Sequence, residues 1–179
     1  MRIIAGRLRG RRIEAPRGLA VRPTSDGLRE TLFNVLGPSI AGARVIDGFA
    51  GTGALGLEAL SRGAARVTFV ERDRRALDAL DRNVRACAAA DACAIIRGDF
   101  VAGRWGPAEL VLLDPPYEIP DLDVVLAAGA AMVAPGGRLV LEHSRRRASP
   151  AAAGRLRRTR VLTAGDSSLS FYAEDASGA

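Results

Sequence analysis

From Arg44 to Glu142, short runs rich in Val, Ile and Leu alternate with longer stretches whose apolar residues recur every three or four positions. The runs Val45 to Asp47, Val67 to Glu71, Ala94 to Arg97, Leu110 to Asp114 and Leu139 to Glu142 are too short for helices and predict strands. Between them the spacing predicts helices from Ala54, across Leu77, Leu80 and Val84, and near Asp121 to Val133. Such alternation predicts a mostly parallel sheet with helices on both faces. Two further runs, Arg160 to Thr163 and Ser168 to Ala173, are joined only by Ala164 to Ser167, a connection that permits an antiparallel hairpin at the sheet edge. Ahead of this domain, residues 1 to 24 alternate apolar and basic positions around Gly6 and Gly10, then reach Pro16, Gly18 and Pro23. They predict a basic β-hairpin followed by an extended segment. Thr24 and Ser25 supply N-cap residues for a first helix through Leu28, Leu32, Val35 and Leu36, which Gly37-Pro38 stops. The expected organisation is an arm over 1–24 and an α/β domain over 25–179, with only Asp175 to Ala179 unstructured.

Composition narrows the class. No stretch approaches the ~20 apolar residues of a membrane span, and arginines interrupt the first ten residues before a signal sequence could develop. A cytoplasmic protein without a membrane partner is expected. Cys87 and Cys93 are the only cysteines and lack metal-ligand spacing, so they predict core thiols rather than a disulfide framework or metal site. His143 is the only histidine, which excludes Ser-His-Asp and Cys-His nucleophiles; it is expected to be structural or exposed.

The net charge is +6, and all 26 basic residues are Arg. Residues 1 to 30 carry a net +5 and residues 145 to 160 a net +7, leaving the remainder at −6. If the fold unites these two clusters, they predict a phosphate-facing surface.

The first strand ends in Asp47 and enters Gly48-Phe49-Ala50-Gly51-Thr52-Gly53, with Gly56 in the following helix. Glycines let the backbone turn tightly against a ligand, and a helix N-terminus offers unpaired N–H groups. Glu71 stands 20 residues after Gly51 at the end of the next strand, where a ribose hydroxyl needs an acceptor. NAD, FAD and S-adenosylmethionine all fit that pattern. Asp47 favours the last, because a carboxylate there repels a pyrophosphate and welcomes a methionine ammonium. Asp99, after the third strand, could accept from an adenine amino group while Phe100 packs on the ring.

The fourth strand empties into Asp114-Pro115-Pro116-Tyr117. An exocyclic amino group on a base is a poor nucleophile, because its lone pair is delocalised into the ring. The Asp114 carboxylate and the Pro115 carbonyl can accept its two N–H hydrogens. The two prolines stiffen the loop, and Tyr117 offers a face for an extruded base. The proton leaves from an amino group made acidic by alkylation, so no strong base is required.

Arg2-Ile3-Ile4-Ala5-Gly6, Arg9-Gly10-Arg11, Arg22-Pro23-Thr24, Arg29-Glu30 with Leu32-Phe33-Asn34, Asp47 to Arg62 and Asp114 to Tyr117 together resemble the bacterial 16S rRNA (guanine-N2)-methyltransferases of the RsmD type. The resemblance covers almost the whole chain. The glycine loop and Asp-Pro-Pro-Tyr recur in many amino-methyltransferases, whereas the arm, Arg-Pro-Thr and Arg-Glu-x-Leu-Phe-Asn are particular to this group. It implies a Rossmann-like class I fold with a seven-stranded, mostly parallel sheet and a C-terminal antiparallel hairpin. It implies S-adenosylmethionine as donor and, as acceptor, guanine 966 of 16S rRNA in the small subunit or its assembly intermediate, met by a monomer. Asp47, Phe49, Ala50, Gly51, Thr52, Gly53, Glu71, Arg72, Asp99 and Phe100 become expected donor-binding residues. Asp114, Pro115, Pro116 and Tyr117 become the amino-group site, and Arg7, Arg9, Arg11, Arg12, Arg22, Thr24 and Arg29 the expected RNA contacts. Gly48 departs from the larger residue more usual after the first acid. An arm of about 24 residues grips phosphates but hardly reads a long sequence, so the target is expected to be chosen by shape. The residues alone leave open an adenine-N6 or protein-directed enzyme and a non-catalytic RNA- or NAD-binding domain.

Overall fold

In the fourth strand Leu110 and Leu112 join one apolar core while Val111 and Leu113 join another, as the two-residue period of a strand buried on both faces requires. This division organises the computed structural model, which describes residues 1–15 and 26–175. The elements are α1 (Asp26–Leu36), β1 (Arg44–Gly48), α2 (Ala54–Ser61), β2 (Arg66–Glu71), α3 (Arg74–Ala86), β3 (Cys93–Arg97) and β4 (Ala108–Leu113). They continue through α4 (Leu122–Ala130), β5 (Val133–Ser144), β6 (Ala152–Ala153), β7 (Leu156–Ala164) and β8 (Ser167–Glu174). Strand order is β3-β2-β1-β4-β5-β8-β7-β6, with the first five parallel and β8 and β7 antiparallel. On one face α1, α2 and α3 contribute Leu32, Leu57 and Leu80 to a core with Val45, Phe69 and Leu112. On the other, α4 contributes Val125 and Leu126 over Val111, Leu139 and Leu141. No helix of the described residues is long and apolar enough to cross a membrane.

The expected strands and hairpin are present, and β6 adds a two-residue eighth strand at the edge. The helix expected to reach Val133 stops at Ala130, because Val133 pairs with Ala108 and begins β5. Tertiary pairing there overrides an apolar run that by itself reads as helix.

The arm is folded onto the domain. Its hairpin reduces to a single bridge between Arg2 and Arg12, supported by Ile3 N–H to Arg11 O (3.0 Å) and Ile13 N–H to Met1 O (3.0 Å). Ile3, Leu8 and Ile13 are buried in the first core. Backbone N–H groups that a sheet would have paired are satisfied by α2: the Glu58 carboxylate accepts from Ile4 (2.7 Å) and Ala5 (3.1 Å), and Ser61 Oγ accepts from Leu8 (2.9 Å). A Cβ at Gly6 would stand 1.8 Å from the Ser61 carbonyl oxygen, so this close approach needs glycine. The extended segment, the Thr24 and Ser25 caps and the Arg22 site lie outside the described residues.

Candidate active site

The strand order reverses between β1 and β4, opening a crevice at the carboxyl ends of the strands. A cavity of about 490 Å³ lies there, within the usual size range of small-molecule sites. Among the acids that line its wall are Asp47 on β1, Glu71 on β2, Asp114 just after β4 and Glu142 near the end of β5.

The glycine turn is held by two of these carboxylates. Asp47 is 1% exposed and accepts from the Gly56 N–H at 2.8 Å, which fixes the first turn of α2. Burial pushes its pKa up to about 8, against the opposing effect of that hydrogen bond, and the nearby Glu71 charge pushes the same way as burial. Glu71 accepts from Gly51 at 2.8 Å and, through its other oxygen, from Arg72 and Asp73 at 2.8 Å each. It therefore locks the loop as well as facing the cavity. Gly53 adopts φ +81°, and a Cβ there would meet Leu80 at 2.4 Å. Ala50 and Thr52 complete the turn, and the Thr52 carbonyl accepts from the Asn83 side-chain amide at 2.9 Å. The same Asn83 exchanges two hydrogen bonds with the Glu14 backbone, 2.9 and 3.0 Å. One side chain thus joins arm, α3 and loop.

Phe49, at φ +61°, sets its ring 5.4 Å from that of Phe100. Phe100 is only 2% exposed but lines the cavity, and Phe49 is the partly exposed ring of the pair. The departure at Gly48 has a cause, since a Cβ there would lie 2.7 Å from the Phe100 ring. Asp99 accepts from Val101 N–H at 3.0 Å and approaches the Arg72 guanidinium at 3.6 Å, both side chains of that ion pair being exposed.

The Asp114-Pro115-Pro116-Tyr117 loop borders the same cavity. Its far end is tethered by residues that sequence reasoning missed. Tyr117 Oη lies 2.5 Å from Ser167 Oγ of β8. The Arg147 guanidinium donates to the carbonyls of Ile119 and Pro120. Ser167 carries no sequence signal, and Arg147 stands out only as a member of the 145–160 basic cluster, because both reach the loop only through the packing of β5 and β8. Glu142 was also missed, although an acid ending an apolar strand, like Asp47 and Asp114, was visible.

The basic residues divide. Arg7, Arg9, Arg11 and Arg12 are exposed, and Arg11 also donates to the Ala86 carbonyl. Arg29 is corrected as a surface contact. It is 0% exposed, donates to the Arg2 carbonyl (2.6 Å) and Asp26 (2.8 Å), and burial lowers its pKa. It is a strut beneath the arm. The 145–160 cluster is not one surface either: Arg145 to Arg147 follow the cavity end of β5, whereas Arg157 lies level with Arg138 at the opposite end of the sheet. Arg147, Arg155 and Arg158 cap the backbone carbonyls of Ile119, Val133 and Ser149. His143 is buried, 2.9 Å from Ser170 Oγ, and burial lowers its pKa, consistent with a structural role. Burial raises both thiols, Cys93 to about 11.

The site fits S-adenosylmethionine: a glycine turn before a helix N-terminus, an acid at the end of β2, and room beyond for an acceptor beside Asp114. A family model described as Conserved hypothetical protein 95 matches residues 1–173. Over 119 residues the chain is 44% identical to the Escherichia coli protein "Ribosomal RNA small subunit methyltransferase D", covering 65% of this chain and 60% of that one. YlbH of Bacillus subtilis is 34% identical over 180 residues, 96% of this chain and 98% of its own. The solved structure of yhhF from Escherichia coli superposes with a TM-score of 0.86 at 35% identity, covering 98% of both chains. TrmN from Thermus thermophilus, at 21% identity and a TM-score of 0.69 over 83% of this chain and 48% of its own, shares the fold. The chain belongs to the RsmD-type family of small-subunit ribosomal RNA methyltransferases, with the Rossmann-like class I fold and S-adenosylmethionine as its methyl donor.

Proposed function

We propose that this protein methylates the exocyclic N2 amino group of one guanine in 16S rRNA, guanine 966 by family resemblance, within the small ribosomal subunit or its assembly intermediate. The observation that carries the reading is that Asp114 to Tyr117 and the glycine turn from Phe49 to Thr52 line a single cavity. Relatives named as small-subunit rRNA methyltransferases support the RNA class. The protein acts as a monomer in the cytoplasm, with residues 1–24 as an RNA-gripping arm and 25–179 as the catalytic domain.

Bound S-adenosylmethionine supplies an electrophilic methyl group on its sulfonium. Asp47, Phe49, Ala50, Gly51, Thr52, Glu71, Arg72, Asp99 and Phe100 form the donor side of the cavity, with Gly53 turning the loop behind them. Asp114 and the Pro115 carbonyl accept the two N–H hydrogens of the guanine amino group and draw its lone pair out of the ring, while Pro116 stiffens the loop and the Tyr117 ring supports the extruded base. The extra proton of the alkylated nitrogen passes to water. Arg7, Arg9, Arg11 and Arg12 grip phosphates, together with Arg22 and Thr24.

The test is transfer of labelled methyl from S-adenosylmethionine to unmodified small subunits, protein-free rRNA and duplex DNA, followed by nucleoside analysis. N2-methylguanosine in ribosomal material is the expected product, and the acceptor that carries it identifies the substrate form. Methyladenine in DNA would replace the guanine reading with an adenine-N6 one, and no transfer to any acceptor would remove the catalytic reading.

A further inference from the structure

Glu142 is 4% exposed and lines the cavity beside the Asp114 loop. In the β4–β5 register Leu113 pairs with Leu141, so the next residues, Asp114 and Glu142, lie level on neighbouring parallel strands. Strands in this arrangement stand about 4.8 Å apart, and level residues project to the same face. Leu113 and Leu141 both enter the second core, which sends Asp114 and Glu142 to the opposite side, above Leu112 and Val140 of the first. The adjacent His143 turns the other way, to Ser170. Two carboxylates therefore sit side by side at the acceptor end of the site.

The purines present different edges to such a pair. Guanine offers two adjacent donors, the N2 amino group and N1–H, whereas adenine offers an amino group beside an N1 lone pair. We infer that Glu142 is the specificity-determining residue of this site, accepting a hydrogen bond from guanine N1–H while Asp114 holds the N2 amino group. This rests on the guanine reading above. A base with a lone pair at N1 offers this pair of acids no donor at that position, and sites built to hydrogen-bond a substrate donor reject analogues lacking it.

The discriminating substrate is 2-aminopurine, which keeps the 2-amino group but carries a lone pair at N1. Small subunits reconstituted with rRNA bearing guanine or 2-aminopurine at the target position would be methylated by the wild type and by Glu142→Gln, with donor affinity and melting temperature measured alongside. The wild type should favour guanine by roughly 10- to 100-fold in kcat/KM, the range expected of one hydrogen bond to a charged group. A glutamine amide can donate to an N1 lone pair where a carboxylate cannot, so Glu142→Gln should shrink that preference by at least about tenfold, while donor binding is retained. Comparing the two enzymes cancels the loss of O6, which both experience. Equal use of the two bases by the wild type would overturn the role of Glu142 while leaving guanine-N2 methylation intact. An unchanged preference in a folded, donor-binding Glu142→Gln protein would do the same. Should the variant fail to fold, equal use of the two bases by the wild type would still overturn the role of Glu142. Failure of the wild type to methylate guanine at all would overturn the underlying reading.

Discussion

The Asn83 amide donates to the Thr52 carbonyl at 2.9 Å, tying a helix that carries the arm to the tip of the donor loop. Asn83 is 1% exposed, so truncating it leaves the Thr52 carbonyl and the Glu14 N–H and carbonyl short of a partner. Asn83→Ala is expected to destabilise the fold by about 1–3 kcal/mol, the cost of stranding buried polar groups. It should also weaken donor binding, which calorimetric titration at a temperature well below the melting point would reveal. Unchanged donor affinity would mean that the loop holds its shape without this tether.

Arg147 reaches the loop from the other side, through the Ile119 and Pro120 carbonyls. Arg147→Ala should lower kcat by about tenfold or more while donor affinity stays near that of the wild type, because small misplacements of positioning groups are costly to the chemical step. Stopped-flow single-turnover transfer, read beside equilibrium donor binding, separates the two quantities.

Asp47 gives the donor-free protein a pH signature. Its folded pKa, raised by burial to about 8 from an ordinary 3.8, means that the folded state holds a proton that the unfolded state releases. That contribution to stability is complete below the unfolded value and is lost as pH rises through about 8. Urea unfolding between pH 4 and 9 should therefore show stability falling with pH, and Asp47→Asn should flatten this slope.

The arm makes an ionic prediction. Replacing Arg7, Arg9, Arg11 and Arg12 together by Gln should weaken RNA binding and reduce the steepness of its salt dependence, by roughly one for each phosphate contact removed. Arg29→Leu should instead lower the melting temperature and leave the slope alone, since Arg29 is buried. Filter binding across a salt series distinguishes them.

The alternation of apolar runs along the chain determined the strands, the parallel core of the sheet and the C-terminal hairpin, because a strand buried on both faces and an amphipathic helix each impose their own period. The glycine turn and Asp114 to Tyr117 were equally legible, since their chemistry is local: tight turns, fixed prolines, an acid at a strand end. Tertiary structure decided what depends on distant partners. Arg29 carries the same charge as Arg9, but packing of the arm over α1 buries the first and leaves the second exposed. Arg147 and Arg157 belong to one basic stretch in sequence, yet a strand climbs about 3.3 Å per residue, and the sheet sends one to the cavity end and the other to the opposite end. The pairing of Asp114 with Glu142 is likewise a matter of register, as 28 residues separate them along the chain and only the alignment of β4 with β5 makes them neighbours.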